Sequence, residues 1–156
     1  MKKPPLGWPR ISSSVYYADP GKAIDWLCRA FGFSVRLKVE GEGGRIEHSE
    51  LEFGEGLIMV GGAGEAYTRP DKSWRAEMAS PAMLGGKNTQ TVHVQLGAGE
   101  DIDAHCERAR SAGADIIAPP ETQFYGDRTY RAKDPEGHIW TFGVTVEEKT
   151  SDEWDA

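Results

Sequence analysis

Hydrophobic and polar positions run through the same series of elements twice along the chain. From Ile11 to Tyr17, Ser12, Ser14 and Tyr16 alternate with Ser13, Val15 and Tyr17, the period of a strand. A helix follows. Asp19 suits its N-cap and Pro20 its first turn; Ala23, Ile24, Leu27, Cys28 and Phe31 recur at helical spacing, and Gly32 suits the C-terminal stop. Phe33 to Glu40, Arg45 to Phe53 and Leu57 to Val60 read as three strands joined by glycine turns. The order then returns. Thr91 to Leu96 alternates Thr91, His93 and Gln95 with Val92, Val94 and Leu96, and Asp101 to Ala112 is a helix with Ile102, Cys106 and Ala109 inward, stopped by Gly113. Ala114 to Ala118 reads as a strand that Pro119 and Pro120 end.

The last two strands form a hairpin, Tyr125 to Gly143, around Asp134-Pro135-Glu136-Gly137. Asp can bond its own backbone, Pro presets φ, and Gly tolerates the exit, so a type I turn is expected. Arg128, Tyr130 and Ala132 alternate with Thr129, Arg131 and Lys133, and His138, Trp140 and Phe142 with Ile139, Thr141 and Gly143. Each half thus reads βαβββ. Ile24-Asp25-x-x-Cys28 echoes Ile102-Asp103-x-x-Cys106 on the matching helix, at an offset of half the 156 residues, so the expected fold class is α+β with an internal repeat.

The rest of the chain completes the expected organisation: an irregular arm over residues 1–10, which Trp8 can pin to the body, a first module over 11–63, a linker or lid over 64–88, a second module over 89–146 and a tail over 147–156. The linker carries Trp74 and Met78 and has the length of a binding loop; a bridge between the halves and a contact with a partner subunit are the alternatives.

Composition narrows the function classes. A net charge of -7 argues against a nucleic-acid partner and fits a cationic ligand. No apolar run has the length of a membrane span and no apolar segment follows the first lysines, so a cytoplasmic location is expected. Cys28 and Cys106 have neither disulfide nor zinc-site spacing and read as buried free thiols.

The stretches Asp19-Pro20-Gly21-Lys22-Ala23-Ile24-Asp25-Trp26-Leu27, Tyr125-Gly126-Asp127-Arg128 and Asp134-Pro135-x-Gly137-His138-x-Trp140 resemble the vicinal-oxygen-chelate superfamily. That superfamily includes glyoxalase I, extradiol dioxygenases, fosfomycin-resistance enzymes and bleomycin-binding proteins, and the resemblance is to its glyoxalase-like, PhnB-like branch. It implies two tandem βαβββ modules forming a curved mixed sheet around one cavity, with the helices outside, and it implies a homodimer. Metal-dependent members carry four ligands on the first and last strands of each module. Carried over, these positions fall on Ser12, near Met59, near Thr91 and on Thr141, none of which suits a divalent first-row metal.

The expectation is therefore a small-molecule-binding protein with no cofactor and no metal, holding an aromatic or cationic ligand. Its candidate binding residues are Ser12, Ser14, Tyr16, Trp74, His93, Gln95, Arg128, Tyr130 and Thr141, with Met78 beside them, while Trp140 belongs to the core. For Arg128 and Tyr130 a hairpin surface or a salt bridge is the alternative. A divalent-metal lyase, isomerase or dioxygenase with a displaced set around His93, His48 and Glu50 is the rival, and acid–base chemistry by His93 or Glu50 is a third. His105 and His138 are expected to be exposed.

Overall fold

A computed structural model describes residues 1–154. The chain divides into two units, Met1–Gly85 and Gly86–Ala156, each built around one four-stranded mixed sheet. No helix among the described residues is long and apolar enough to cross a membrane.

In the first unit β1 (Ser13–Tyr17) leads to α1 (Pro20–Phe31), then to β2 (Ser34–Glu40), β3 (Ile46–Phe53) and β4 (Gly56–Gly62). The helix starts where Asp19 accepts from the Lys22 amide at 3.1 Å, a cap that stabilises by about 1 kcal/mol. It stops at Gly32, whose φ of 84° is easy only for glycine. Ala23, Ile24, Leu27, Ala30 and Phe31 are its buried stripe. Burying each of the larger three contributes about 2 kcal/mol against Val15, Leu51 and Val60 of the sheet. The strands lie in the order β1-β4-β3-β2, with β1 parallel to β4 and the other pairs antiparallel.

The second unit repeats this plan with β5 (Val92–Gln95), α2 (Ile102–Ser111), β6 (Asp115–Thr122), β7 (Asp127–Lys133) and β8 (Ile139–Thr145), ordered β5-β8-β7-β6. Asp101 caps α2 by accepting from the Asp103 and Ala104 amides. β6 continues past Pro119 and Pro120, where the sequence pattern ends it. As the edge strand it has a side with no partner, and the register slips between Ala118 and Glu121, so the missing amides leave no ladder bond unmade.

Residues 64–85 belong to the first unit and are wound into three short 3-10 segments, Glu65–Tyr67, Pro70–Glu77 and Pro81–Leu84. One carboxylate anchors them. Glu47 on β3 accepts from Arg69 Nη2 at 2.8 Å and lies 3.6 Å from Lys72 Nζ and 3.3 Å from Arg45 Nε. Burial pushes the Glu47 carboxyl up, but Arg69, Lys72 and Arg45 outweigh it and hold the group below the usual carboxylate range.

Candidate functional site

The motifs that mark the closing hairpin are architectural. Asp134, 5% exposed, takes the Glu136 and His138 amides on Oδ1 and the Trp140 indole N–H on Oδ2, each at 3.0 Å, while the Gly137 amide donates back to its carbonyl at 2.9 Å. Gly126 has a φ of 99°, and a Cβ there would stand 2.1 Å from the Glu147 carbonyl oxygen. Arg128 grips Asp103 of α2 through two bonds, Nε at 3.0 Å and Nη2 at 2.7 Å.

The register of that hairpin corrects two of the binding candidates. Tyr130 pairs with Phe142 and Arg128 with Val144, so both share the face of Trp140 and turn to α2. Tyr130 is 1% exposed, stacks on Phe142, and its hydroxyl lies 2.6 Å from His105 Nδ1 on the helix. Burial, with Cys106 adding, pushes its phenol well above the usual range. His105 is thereby half-buried against the sheet, packed 4.5 Å from the Phe142 ring, where exposure is the sequence expectation. Trp140 is fully buried, as its alternation predicts.

The opposite face of this sheet carries Asp127, Thr129 and Arg131 from β7, Thr141, Gly143 and Thr145 from β8, and His93 and Gln95 from β5. They bond one another. His93 Nε2 and Gln95 Oε1 are 3.0 Å apart, Gln95 Nε2 donates to Asp127 at 3.2 Å, and Arg131 Nε donates to Thr141 at 3.2 Å. A Cβ at Gly143 would crowd Gln95, His93 and Thr129 at 3.2–3.3 Å, so glycine is what lets them close over β8. Arg131 and Asp127 are missed by the sequence reading, and the register of the hairpin is the signal that finds them.

In the first unit the face turned away from α1 holds Ser14 beside Met59, Met59 beside Glu50, and Tyr16 beside Gly61. Glu50 is 8% exposed. It lies 2.9 Å from His48 Nε2 and 3.5 Å from Arg36 Nε, and the Arg36 guanidinium covers the Trp8 ring at 5.6 Å, which pins the N-terminal arm. Ser12 is half-buried just ahead of β1, its hydroxyl buried without a hydrogen-bond partner. Trp74 meets Tyr16 edge-on at 6.5 Å, and Arg75 stands against both rings. Neither Cys28, half-buried where the sequence expectation is a buried thiol, nor Cys106, buried, is in a disulfide, and burial raises both thiols, so neither is a poised nucleophile.

Strand register also shows what stands at and beside the positions that the resemblance implies as metal ligands. β1 sets Ser14 against Met59, and β5 sets His93 against Thr141; Ser12 and Thr91 both precede their strands. One imidazole, one thioether and two hydroxyls do not fit a divalent first-row ion. Among the described residues, no three His, Cys, Asp or Glu side chains gather to hold a metal.

The chain belongs to the glyoxalase/bleomycin resistance protein/dioxygenase superfamily, whose pattern it matches over residues 10–142. An uncharacterized protein of Mycobacterium bovis is 31% identical over 93% of this chain and 89% of its own length. TioX from Micromonospora sp. ML1 is similar in structure at a TM-score of 0.65 and 34% identity, covering 89% of this chain and all (100%) of its own. The fosfomycin resistance protein FosX of Listeria monocytogenes shares the fold at a TM-score of 0.59 and 13% identity, over 95% of this chain and 98% of its own.

Proposed function

We propose that this chain is a small-molecule-binding member of its superfamily that holds an aromatic organic molecule without a metal and acts by sequestration. The observation that carries this reading is the side-chain set on the faces turned away from the helices. Ser14 and Met59 on one sheet and His93 and Thr141 on the other make a poor set for a divalent metal, and Tyr16 and Trp74 supply aromatic walls. Aromatic side chains beside a few fixed polar groups are how proteins hold small ligands. A cationic ligand gains little from Glu50, because Arg36 and His48 already partner that carboxylate.

Metal analysis of purified protein, repeated on His93→Ala, tests the reading. The expected result is substoichiometric divalent metal in both; a stoichiometric ion that His93→Ala releases overturns it. We further propose a homodimer, for which sedimentation at micromolar concentration gives twice the monomer mass of 17.1 kDa and a single monomeric species refutes it.

A further inference from the structure

We infer that Arg75, set between Tyr16 and Trp74, docks the carboxylate of an aromatic acid; this rests on the small-molecule reading and specifies the charge of the ligand. Arg36, Arg45, Arg69 and Arg128 are all half-buried and each pairs with a carboxylate. Arg75 is more deeply buried, at 8% exposure, yet no acidic side chain among the described residues pairs with it. A guanidinium withdrawn from water without a counter-ion is costly, and the site is completed by an anion that neutralises it.

The geometry also says which donors lack a protein partner. Nη1 donates to the Gly62 carbonyl at 3.0 Å, and Nε is buried with no partner. That leaves the Nε and Nη2 edge, whose two parallel N–H groups match the two oxygens of a carboxylate. The guanidinium carbon lies 5.1 Å from the Trp74 ring and 5.8 Å from the Tyr16 ring, so an acid docked there meets aromatic walls on entry. Gly61 lets Tyr16 and Arg75 pack close over β4, since a Cβ there would stand 3.1 Å from the Tyr16 ring and 3.6 Å from Arg75 Nη1. Trp74, 44% exposed, supplies the outer wall.

The test compares 1-naphthoate, its neutral amide 1-naphthamide and the cation 1-naphthylmethylammonium by titration calorimetry on the full chain. Naphthoate is expected to bind one per chain, at least about tenfold tighter than the amide. Arg75→Lys, which keeps the charge but not the two-pronged edge, is expected to weaken naphthoate about tenfold and leave the amide unchanged. In a nitrogen–proton spectrum, naphthoate is expected to move the Arg75 Nε–H signal, identified by its loss in Arg75→Lys. Equal affinity for acid and amide, or acid binding that leaves that signal in place, overturns the inference even where Arg75→Lys does not fold. If the amide or the cation binds and naphthoate does not, the inference falls and the small-molecule reading stands. If none of the three binds and a thermal-shift screen of metabolites and antibiotics is also empty, both fall.

Discussion

The two modules share an element order and a strand register but use their polar side chains differently. In the second, polar groups on both faces of the sheet are matched to one another: Arg128 to Asp103 and Tyr130 to His105 under the helix, and His93, Gln95, Asp127, Arg131 and Thr141 on the other face. In the first, the helix face is mainly apolar, with Val15, Tyr17, Leu51 and Val60, and the segment over the other face carries a guanidinium, Arg75, that no acidic side chain among the described residues pairs with. The repeat therefore sets where side chains stand and leaves their chemistry to each half. A polar face whose members satisfy one another is held rigid by its own bonds, whereas an unmatched cation beside two aromatic rings awaits a ligand.

The modules are expected to differ most at the glycines that precede the third strand of each. Gly126→Ala puts a methyl group into the Glu147 carbonyl at a positive φ, and is expected to cost about 3 kcal/mol or more in denaturant unfolding. Gly44→Ala, at φ 78° with nothing within 4 Å, keeps only the conformational penalty of about 1 kcal/mol. Equal losses would mean the second hairpin is no more constrained than the first.

Next in size is Asp134→Asn. It turns an amide N–H toward the Trp140 indole N–H in place of the carboxylate oxygen, a buried donor facing a donor, and is expected to lower stability by about 2 kcal/mol. Smaller again is a matched pair of buried hydroxyls, at the position just before Arg131 on β7 and just before Glu50 on β3. Tyr130→Phe removes the 2.6 Å contact with His105 Nδ1, and Ser49→Ala removes the 2.6 Å bond to the Val60 carbonyl. Each is expected to cost about 1 kcal/mol by chemical denaturation. A loss confined to Tyr130→Phe would show that only the second module depends on polar groups under its helix.

Much of this architecture is readable from residue pattern alone because caps, turns and alternation are local. Asp19, Gly32, Asp101 and the Asp134 turn act within a few residues of themselves, and each stands where the pattern puts it. What the pattern misses is pairing between strands. Alternation says that Tyr130 and Arg131 face opposite ways; only the register, with Tyr130 against Phe142, says which of them faces the helix. The extent of β6 fails for a related reason, since a proline ends a strand only where its amide is needed. Arg75 is still less accessible, because it is carried to Tyr16 and Gly62 by a segment that Glu47 anchors through Arg69 and Lys72.

The smallest expected effect is also the one that pH resolves. Asp103 binds Arg128 through both oxygens, and that bond, opposed in part by burial, holds its carboxyl below the usual aspartate range. Because the folded state gives up this proton more readily than the unfolded chain, the pair stabilises the fold above the ordinary aspartate value of about 4. The benefit is lost as pH falls through the lowered folded value. The pair is largely exposed, so water and salt screen it to less than about 1 kcal/mol. Asp103→Asn is therefore expected to melt slightly below the parent at pH 7 and together with it at pH 2, the gap at pH 7 narrowing in high salt. A gap that persists unchanged at pH 2 would assign the contact to packing under α2 and not to charge.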